Sequence, residues 1–225
     1  MIIAIDGPAG SGKSSTARIV AEKLGILHLD TGAMYRAITL KCLRQNITCK
    51  NIQALANCVN NTVIEFSDVP PNMKVLLDGK DVSVKIRSEE ITQNVSDYCK
   101  PAVVREALVK QQRLMAQNRD VICEGRDIGT VVFPRAELKF FMVASIEERA
   151  LRRKKDLEKI GIHKTLKELI KEIELRDHKD SKRKNSPLMK AHDAEEIDTT
   201  SMTLDMQVEY IVSKIHKLMK TDVIN

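Results

Sequence analysis

The chain has no tryptophan, and aromatic residues make up only 3% of its 225 positions. That leaves little material for the stacking platforms on which single-stranded nucleic acids are held. No run of about 18 apolar residues occurs, so no membrane-spanning helix is expected. Five cysteines (Cys42, Cys49, Cys58, Cys99, Cys123) are scattered, odd in number and form no C-x-x-C pair. They read as reduced cytosolic thiols, and their spacing fits no zinc pattern. The chain opens straight into an apolar run, Ile2 to Ile5, which gives the expectation of no secretory leader and a cytoplasmic protein. The excess of base over acid is mild: 37 Lys and Arg against 31 Asp and Glu, a net charge of +6. With so few aromatics, that charge fits arginines gathered around a small phosphorylated ligand better than a nucleic-acid partner.

What is present is a glycine-rich loop in the right setting. Gly7-Pro8-Ala9-Gly10-Ser11-Gly12-Lys13-Ser14 follows the apolar strand and precedes a helical stretch, Ser14 to Leu24. Strand, G-x-x-x-x-G-K-[ST] loop and helix N-terminus come in the order that cradles phosphates. The loop turns several N–H groups inward, and the helix end adds partial positive charge. Lys13 is placed to reach the β- and γ-phosphates, and the Ser14 hydroxyl to ligate Mg²⁺. The motif indicates a nucleotide but not a reaction. A kinase of a small acceptor, a nucleotide-binding switch and a polymer-stimulated ATPase all use it. Scarce aromatics argue against the last, as does the lack of an apolar run ending in Asp as a second metal motif.

The flanking pattern is that of an α/β protein with a parallel sheet wrapped by helices. Gly25 ends the first helix, Ile26 to Leu29 reads as a strand, Asp30-Thr31-Gly32 as a turn, and Met34 to Leu43 as a helix. Between about 60 and 100 the texture changes. Thr62–Phe66, Met73–Leu77 and Val82–Ile86 read as three strands of a small antiparallel insert. Pro70-Pro71 breaks the first connection and Asp78-Gly79 makes a hairpin. Ser88 caps a following helix, and Pro101 opens a long one reaching Asn118. Val121-Ile122-Cys123 is a buried strand delivering Glu124-Gly125-Arg126-Asp127 at its C-terminal end, where open α/β sheets bind ligands. Leu138–Val143 is another strand. A charged helical stretch from Ile146 to about His178 is interrupted at Gly161, which suggests two helices with a mobile joint. A last amphipathic helix carries Leu204, Val208, Ile211, Val212, Ile215 and Leu218. The domain reading is a core of residues 1–59 and 101–225, with a lid at about 149–185 and an insert at 60–100. No heptad seam appears, so a monomer is expected.

Three further segments decide among the readings. They are Asp30-Thr31-Gly32-Ala33-Met34-Tyr35-Arg36, Glu124-Gly125-Arg126-Asp127-Ile128-Gly129-Thr130-Val131-Val132-Phe133-Pro134, and Arg176 to Arg183 followed by Ser186-Pro187-Leu188. In order and spacing they closely resemble bacterial cytidylate kinases, a family of nucleoside monophosphate kinases, over nearly the whole chain. The resemblance implies transfer of the γ-phosphoryl group of ATP to CMP or dCMP, with Mg²⁺, in a P-loop core carrying a monophosphate-binding insert and a lid. It implies that Gly7, Pro8, Ala9, Gly10, Ser11, Gly12, Lys13, Ser14 and Ser15 hold ATP phosphates, with Arg149 and Arg153 reaching them from the lid. It places Thr31 and Arg36 on the monophosphate side, Ser96 and Arg105 at the base, and Arg126 and Asp127 at phosphate and base respectively. Asp180 and Arg183 match contacts to the CMP sugar and phosphate region, and Arg176 serves the transferring group. Lys13, Arg126, Arg176 and Arg183 are thus the expected catalytic residues. Thr31 stands where some members have Ser, and Glu124 where others have Asp, so each swap keeps its functional group.

The chemistry suits these residue types. The attacking atom is a phosphate oxygen, already ionised, so no general base is needed and no Ser-His-Asp arrangement is expected. Arginine binds phosphate bidentately. Cytosine offers an exocyclic amine that a carboxylate accepts, whereas uracil presents a carbonyl that Asp127 repels. Asp6, beside the loop, reads as scaffolding.

Overall fold

A computed structural model describes residues 1–67, 73–159 and 161–222. Five strands form one parallel sheet: β1 (Ile2–Asp6), β2 (Leu27–Asp30), β3 (Val121–Gly125), β4 (Leu138–Val143) and β5 (Glu195–Asp198). Their spatial order is β2-β3-β1-β4-β5. β1 therefore sits centrally, between two neighbours reached by crossovers in opposite directions. The C-terminal ends of β1 and β3 there open the crevice in which such sheets take ligands.

One face of the sheet packs on α1 (Lys13–Leu24) and the C-terminal α2 (Leu204–Asp222) through Ile3, Ile5, Val20, Ile122, Phe140, Val208 and Ile211. On the other face Ala4, Leu29, Val121 and Cys123 meet three helices: α3 (Thr31–Arg44), α4 (Ile52–Asn60) and α5 (Ala102–Met115). Cys123 and Ile122 alternate between the two cores, as a strand buried on both faces requires. The small sheet is antiparallel: β6 (Ile64–Phe66), β7 (Val75–Leu77) and β8 (Lys80–Asp81). It shares the second core through Ile64, Val75 and Leu77. Helix α6 (Glu89–Tyr98) follows, capped by Ser88 as its sequence suggests. Helices α7 (Ile146–Glu158) and α8 (Leu166–Lys182) form an antiparallel pair with a core of their own: Ala150, Leu157, Leu169 and Ile173. Lys164 Nζ joins this pair to α6 through Glu89 Oε1 at 2.8 Å. Among the described residues no helix is long and apolar enough to cross a membrane.

Several local readings are corrected. Asp30-Thr31-Gly32 is not a free turn, because the Asp30 carboxylate accepts Ala33 N at 2.8 Å and starts α3 at Thr31. The third insert strand is not Val82–Ile86. Asp81 Oδ1 accepts Ser83 N at 2.9 Å, which curls the chain after β8 into a 3-10 turn at Lys85–Arg87. The Pro70-Pro71 break lies outside the described residues. Helix α4 and strand β5 were not read from the sequence. The helix is announced by Asn51, whose side chain accepts Ala54 N at 3.0 Å. In β5 only Ile197 is fully buried, so apolar content gave no signal. The segment after Asp127 is a π-helical turn, Ile128–Val132.

Candidate active site

β1 ends in the glycine loop, and two of its glycines are fixed by close approach. A Cβ on Gly7 (φ +154°) would stand 2.2 Å from Met142 O, and one on Gly12 (φ +93°) 2.7 Å from Gln207 Oε1. Lys13 opens α1 and folds back so that Nζ donates to Pro8 O at 3.0 Å. Ser14 and Ser15 are exposed at the helix mouth. Burial, with Arg126 and Arg176 nearby, lowers the Lys13 pKa to about 7, against the pull of Glu124.

The parallel register sets Asp30 directly beside Glu124 at the ends of β2 and β3. Glu124 hydrogen-bonds Ser14, and burial with the neighbouring Asp30 charge raises its pKa to about 7. Its Oε1 is buried with no partner among the described residues. These two acids end apolar strands next to Ser14, which corrects the expectation that no apolar run ending in Asp accompanies the loop. Val121-Ile122-Cys123-Glu124 was the sequence signal, with Glu in place of the Asp sought. Asp6 is indeed scaffolding: its carboxylate accepts Ile128 N and Gly129 N, both at 2.8 Å. Burial outweighs those two bonds and raises its pKa to about 6.

Four cationic side chains face this acidic pair. Arg126 donates from Nε to Asp180 Oδ2 at 2.8 Å. Burial opposes the Arg126 charge, but Asp180 outweighs it and lifts the pKa above its ordinary value. Burial also works against the Asp180 charge, and Arg126 and Arg176 overcome it and hold that carboxyl below its ordinary value. Arg36 reaches Thr92 Oγ1 on α6 at 3.0 Å. Burial lowers the Arg36 pKa, and Arg87, Arg153 and Arg126 add to the effect against Asp30. Arg176 on α8 has a buried Nε with no partner among the described residues. Burial, then Arg126 and Arg36, bring its pKa down to about 9. With Lys13, these arginines make a cluster of like charge whose members repel one another, the condition a bound polyanion relieves.

Beside this cluster is a second, closed group. Asp127 pairs with Arg105 and lies 3.5 Å from Arg183 Nη2; all three side chains are buried. The Arg105 guanidinium stacks over the Tyr35 ring at 5.3 Å. Arg183 also donates to Ser186 O, which shapes the turn after α8. Ser96 lies half-buried on α6. The Thr31 hydroxyl is committed to Glu124 O at 2.7 Å, holding β3 to α3.

The two arginines expected on the lid separate. Arg149 is buried, with Nη1 on Ala9 O at 3.2 Å and Asp177 Oδ2 at 2.5 Å. Arg153 lies on the other flank, among the charges acting on Arg36 and Glu89. The second arginine at the loop is Arg152, which the sequence reading passed over. Its Nη1 stands 3.5 Å from Gly10 O.

The family model for cytidylate kinase matches residues 3–217. A cytidylate kinase from Desulforamulus reducens is 51% identical over 215 residues, covering 96% of this chain and 96% of the relative. One from Lactobacillus johnsonii is 48% identical over 220 residues, covering 98% of this chain and 96% of the relative. Among solved structures, an uncharacterized protein from Eubacterium ventriosum matches at a TM-score of 0.50 and 13% identity. It covers 96% of this chain and 98% of its own, a likeness of fold.

Proposed function

The chain belongs to the cytidylate kinase family, and we propose on that premise that it transfers the γ-phosphoryl group of ATP to CMP or dCMP, giving ADP and CDP or dCDP. It acts as a cytoplasmic monomer on these small molecules. The loop from Gly7 to Ser15 holds the ATP phosphates, and Lys13 bridges toward the transferring group. Arg36 and Arg126 take the acceptor phosphate. Arg176, with its unpartnered Nε, meets the charge that spreads over the phosphoryl oxygens in the transition state. Asp180 sets the Arg126 guanidinium through its 2.8 Å bond. The group of Arg105, Asp127 and Arg183, with Ser96 nearby on α6, reads the base. Each Asp127 oxygen keeps a lone pair beyond its arginine, available to the cytosine amine. Residues 60–100 serve as the monophosphate-binding unit and residues 149–185 as the lid that excludes water.

Mg²⁺ fits the donor set at the loop. Ser14 offers a hydroxyl, and the unpartnered Oε1 of Glu124 and the adjacent Asp30 offer hard oxygens. Held there with ATP, the ion would offset negative charge on the phosphates. Lys13 and Glu124, whose charges act on one another, are both displaced to about 7 beside that donor set.

The observation that carries the reading is the convergence of Lys13, Arg36, Arg126 and Arg176 beside the Asp127 group. It is tested by ADP release from Mg-ATP with CMP, dCMP, UMP, AMP, GMP and shikimate. Turnover confined to CMP and dCMP is expected. An active different acceptor with CMP silent overturns the acceptor assignment.

A further inference from the structure

A loop that turns its amides inward onto an anion turns its carbonyls outward, where each needs a donor. Every carbonyl from Pro8 to Gly12 has one. Pro8 O takes Lys13 Nζ at 3.0 Å, Ala9 O takes Arg149 Nη1 at 3.2 Å, and Gly10 O has Arg152 Nη1 at 3.5 Å. Ser11 O takes Thr199 Oγ1 at 2.9 Å, and Gly12 O has Thr16 N and Oγ1, each at 3.0 Å. Lys13 and Thr16 belong to the helix that the loop itself starts. Arg149, Arg152 and Thr199 come from far along the chain.

Thr199 joins these distant partners. It follows β5 directly and is 0% exposed. Its N–H donates to Val143 O at 2.8 Å. Its hydroxyl has one proton and two acceptors in reach, Ser11 O at 2.9 Å and Val143 O at 3.0 Å. Ser11 O is the nearer acceptor and takes the hydroxyl as its donor, whereas Val143 O is already served by the Thr199 N–H. The same hydroxyl accepts from Arg152 Nη1 at 3.1 Å, and the Thr199 carbonyl takes Arg152 Nη2 at 2.5 Å. Arg152 is steadied by Glu148 at 2.9 Å. Gln207 on α2 backs the next residues: its Oε1 lies 2.8 Å from Thr16 Oγ1, and its Nε2 donates to Met202 O at 3.1 Å.

We propose that Thr199 is a positioning residue for ATP, and that through Arg152 it ties the setting of the phosphate loop to the lid helix α7. The peptide unit is planar, so fixing Ser11 O outward aims the Gly12 N–H inward, toward the phosphates. Arg152 does the same for the unit that carries the Ser11 N–H. Thr199 touches no substrate. The inference rests on the loop holding ATP phosphates and adds what keeps that loop in its binding shape.

The test compares wild type with Thr199→Val, Thr199→Ala and Thr199→Ser by calorimetric titration, with ATP alone and with CMP alone, alongside steady-state KM values and melting temperature. Losing the one hydroxyl bond weakens ATP binding by roughly three- to tenfold in the valine and alanine variants, leaves CMP binding within about twofold, and is reversed in the serine variant. KM for ATP rises by the same factor. If valine and alanine both keep wild-type ATP affinity, or both lose ATP and CMP in equal proportion, the proposal fails. A wild-type chain that binds no ATP overturns the nucleotide reading beneath it, and the proposal with it.

Discussion

Arg176 is held in the fold at a cost, and its removal separates stability from activity. Its Nε has no partner among the described residues, and burial, with Arg126 and Arg36 facing it, brings its pKa down from the ordinary arginine range to about 9. At neutral pH the side chain is charged in both folded and unfolded chains, so the folded state carries the whole penalty. At 1.36 kcal/mol per pH unit that is about 5 kcal/mol for a fully desolvated group. Arg176 keeps part of its solvent contact, and screening brings the figure to about 2 kcal/mol. Arg176→Met keeps the apolar stem and removes the charge. The ligand-free variant therefore melts higher, by roughly 4–8 °C for a chain of this size. Phosphoryl transfer falls by on the order of 10³, the scale at which an arginine contributes to such transition states. A nonhydrolysable ATP analogue with CMP narrows or reverses the gap in melting temperature, because only wild type gains an Arg176–phosphate contact. A variant that melts at or below wild type without ligand refutes the electrostatic reasoning. One that keeps wild-type kcat refutes the role.

Asp127→Asn leaves Arg105 and Arg183 facing each other without their shared carboxylate. The variant loses about 3 kcal/mol of stability by chemical denaturation. Its preference for CMP over UMP, measured by competition, falls by about tenfold or more; an unchanged ratio removes Asp127 from base reading. Burial and Asp30 lift the folded pKa of Glu124 to about 7 from 4.5, so the folded state binds its proton more tightly than the unfolded chain. That contribution is complete at low pH and is lost as pH rises from about 4.5 through 7. In urea titrations across this window Glu124→Gln flattens the decline, leaving a shallower slope below about pH 6 from Asp6, whose folded pKa is also about 6. A variant with the full wild-type slope shows that Glu124 does not titrate there.

The glycine-rich loop was legible because its make-up is local: glycines, lysine and serine are neighbours in sequence and in space. Arg126 and Asp127 were legible because a buried strand ends just before them. What escaped was made by long-range contact. Thr199 and Ser11 meet across 188 positions, and Gln207 and Thr16 across 191. Neither Thr199 nor Gln207 is unusual in its local sequence. Asp30 and Glu124 become a pair only through the parallel register of β2 with β3. The separation of Arg152 from Arg153 was lost for another reason: neighbours on a helix point about 100° apart, and which one meets the loop depends on how α7 is docked. In the insert, the apolar residues Val82 and Ile86 were read as strand, but Val82 and Ile86 enter the core from a turn that Asp81 begins.

Asp6 ends the strand that leads into the phosphate loop, yet both of its oxygens are spent on the amides of Ile128 and Gly129, directly after Asp127. The glycine loop and the segment proposed to read the base therefore share one anchor and are not interchangeable modules. Grafting residues 124–133 from a kinase of different acceptor preference brings in amides whose partner lies more than a hundred residues upstream. Redesign of the proposed acceptor pocket thus begins at position 6, at the end of the central strand.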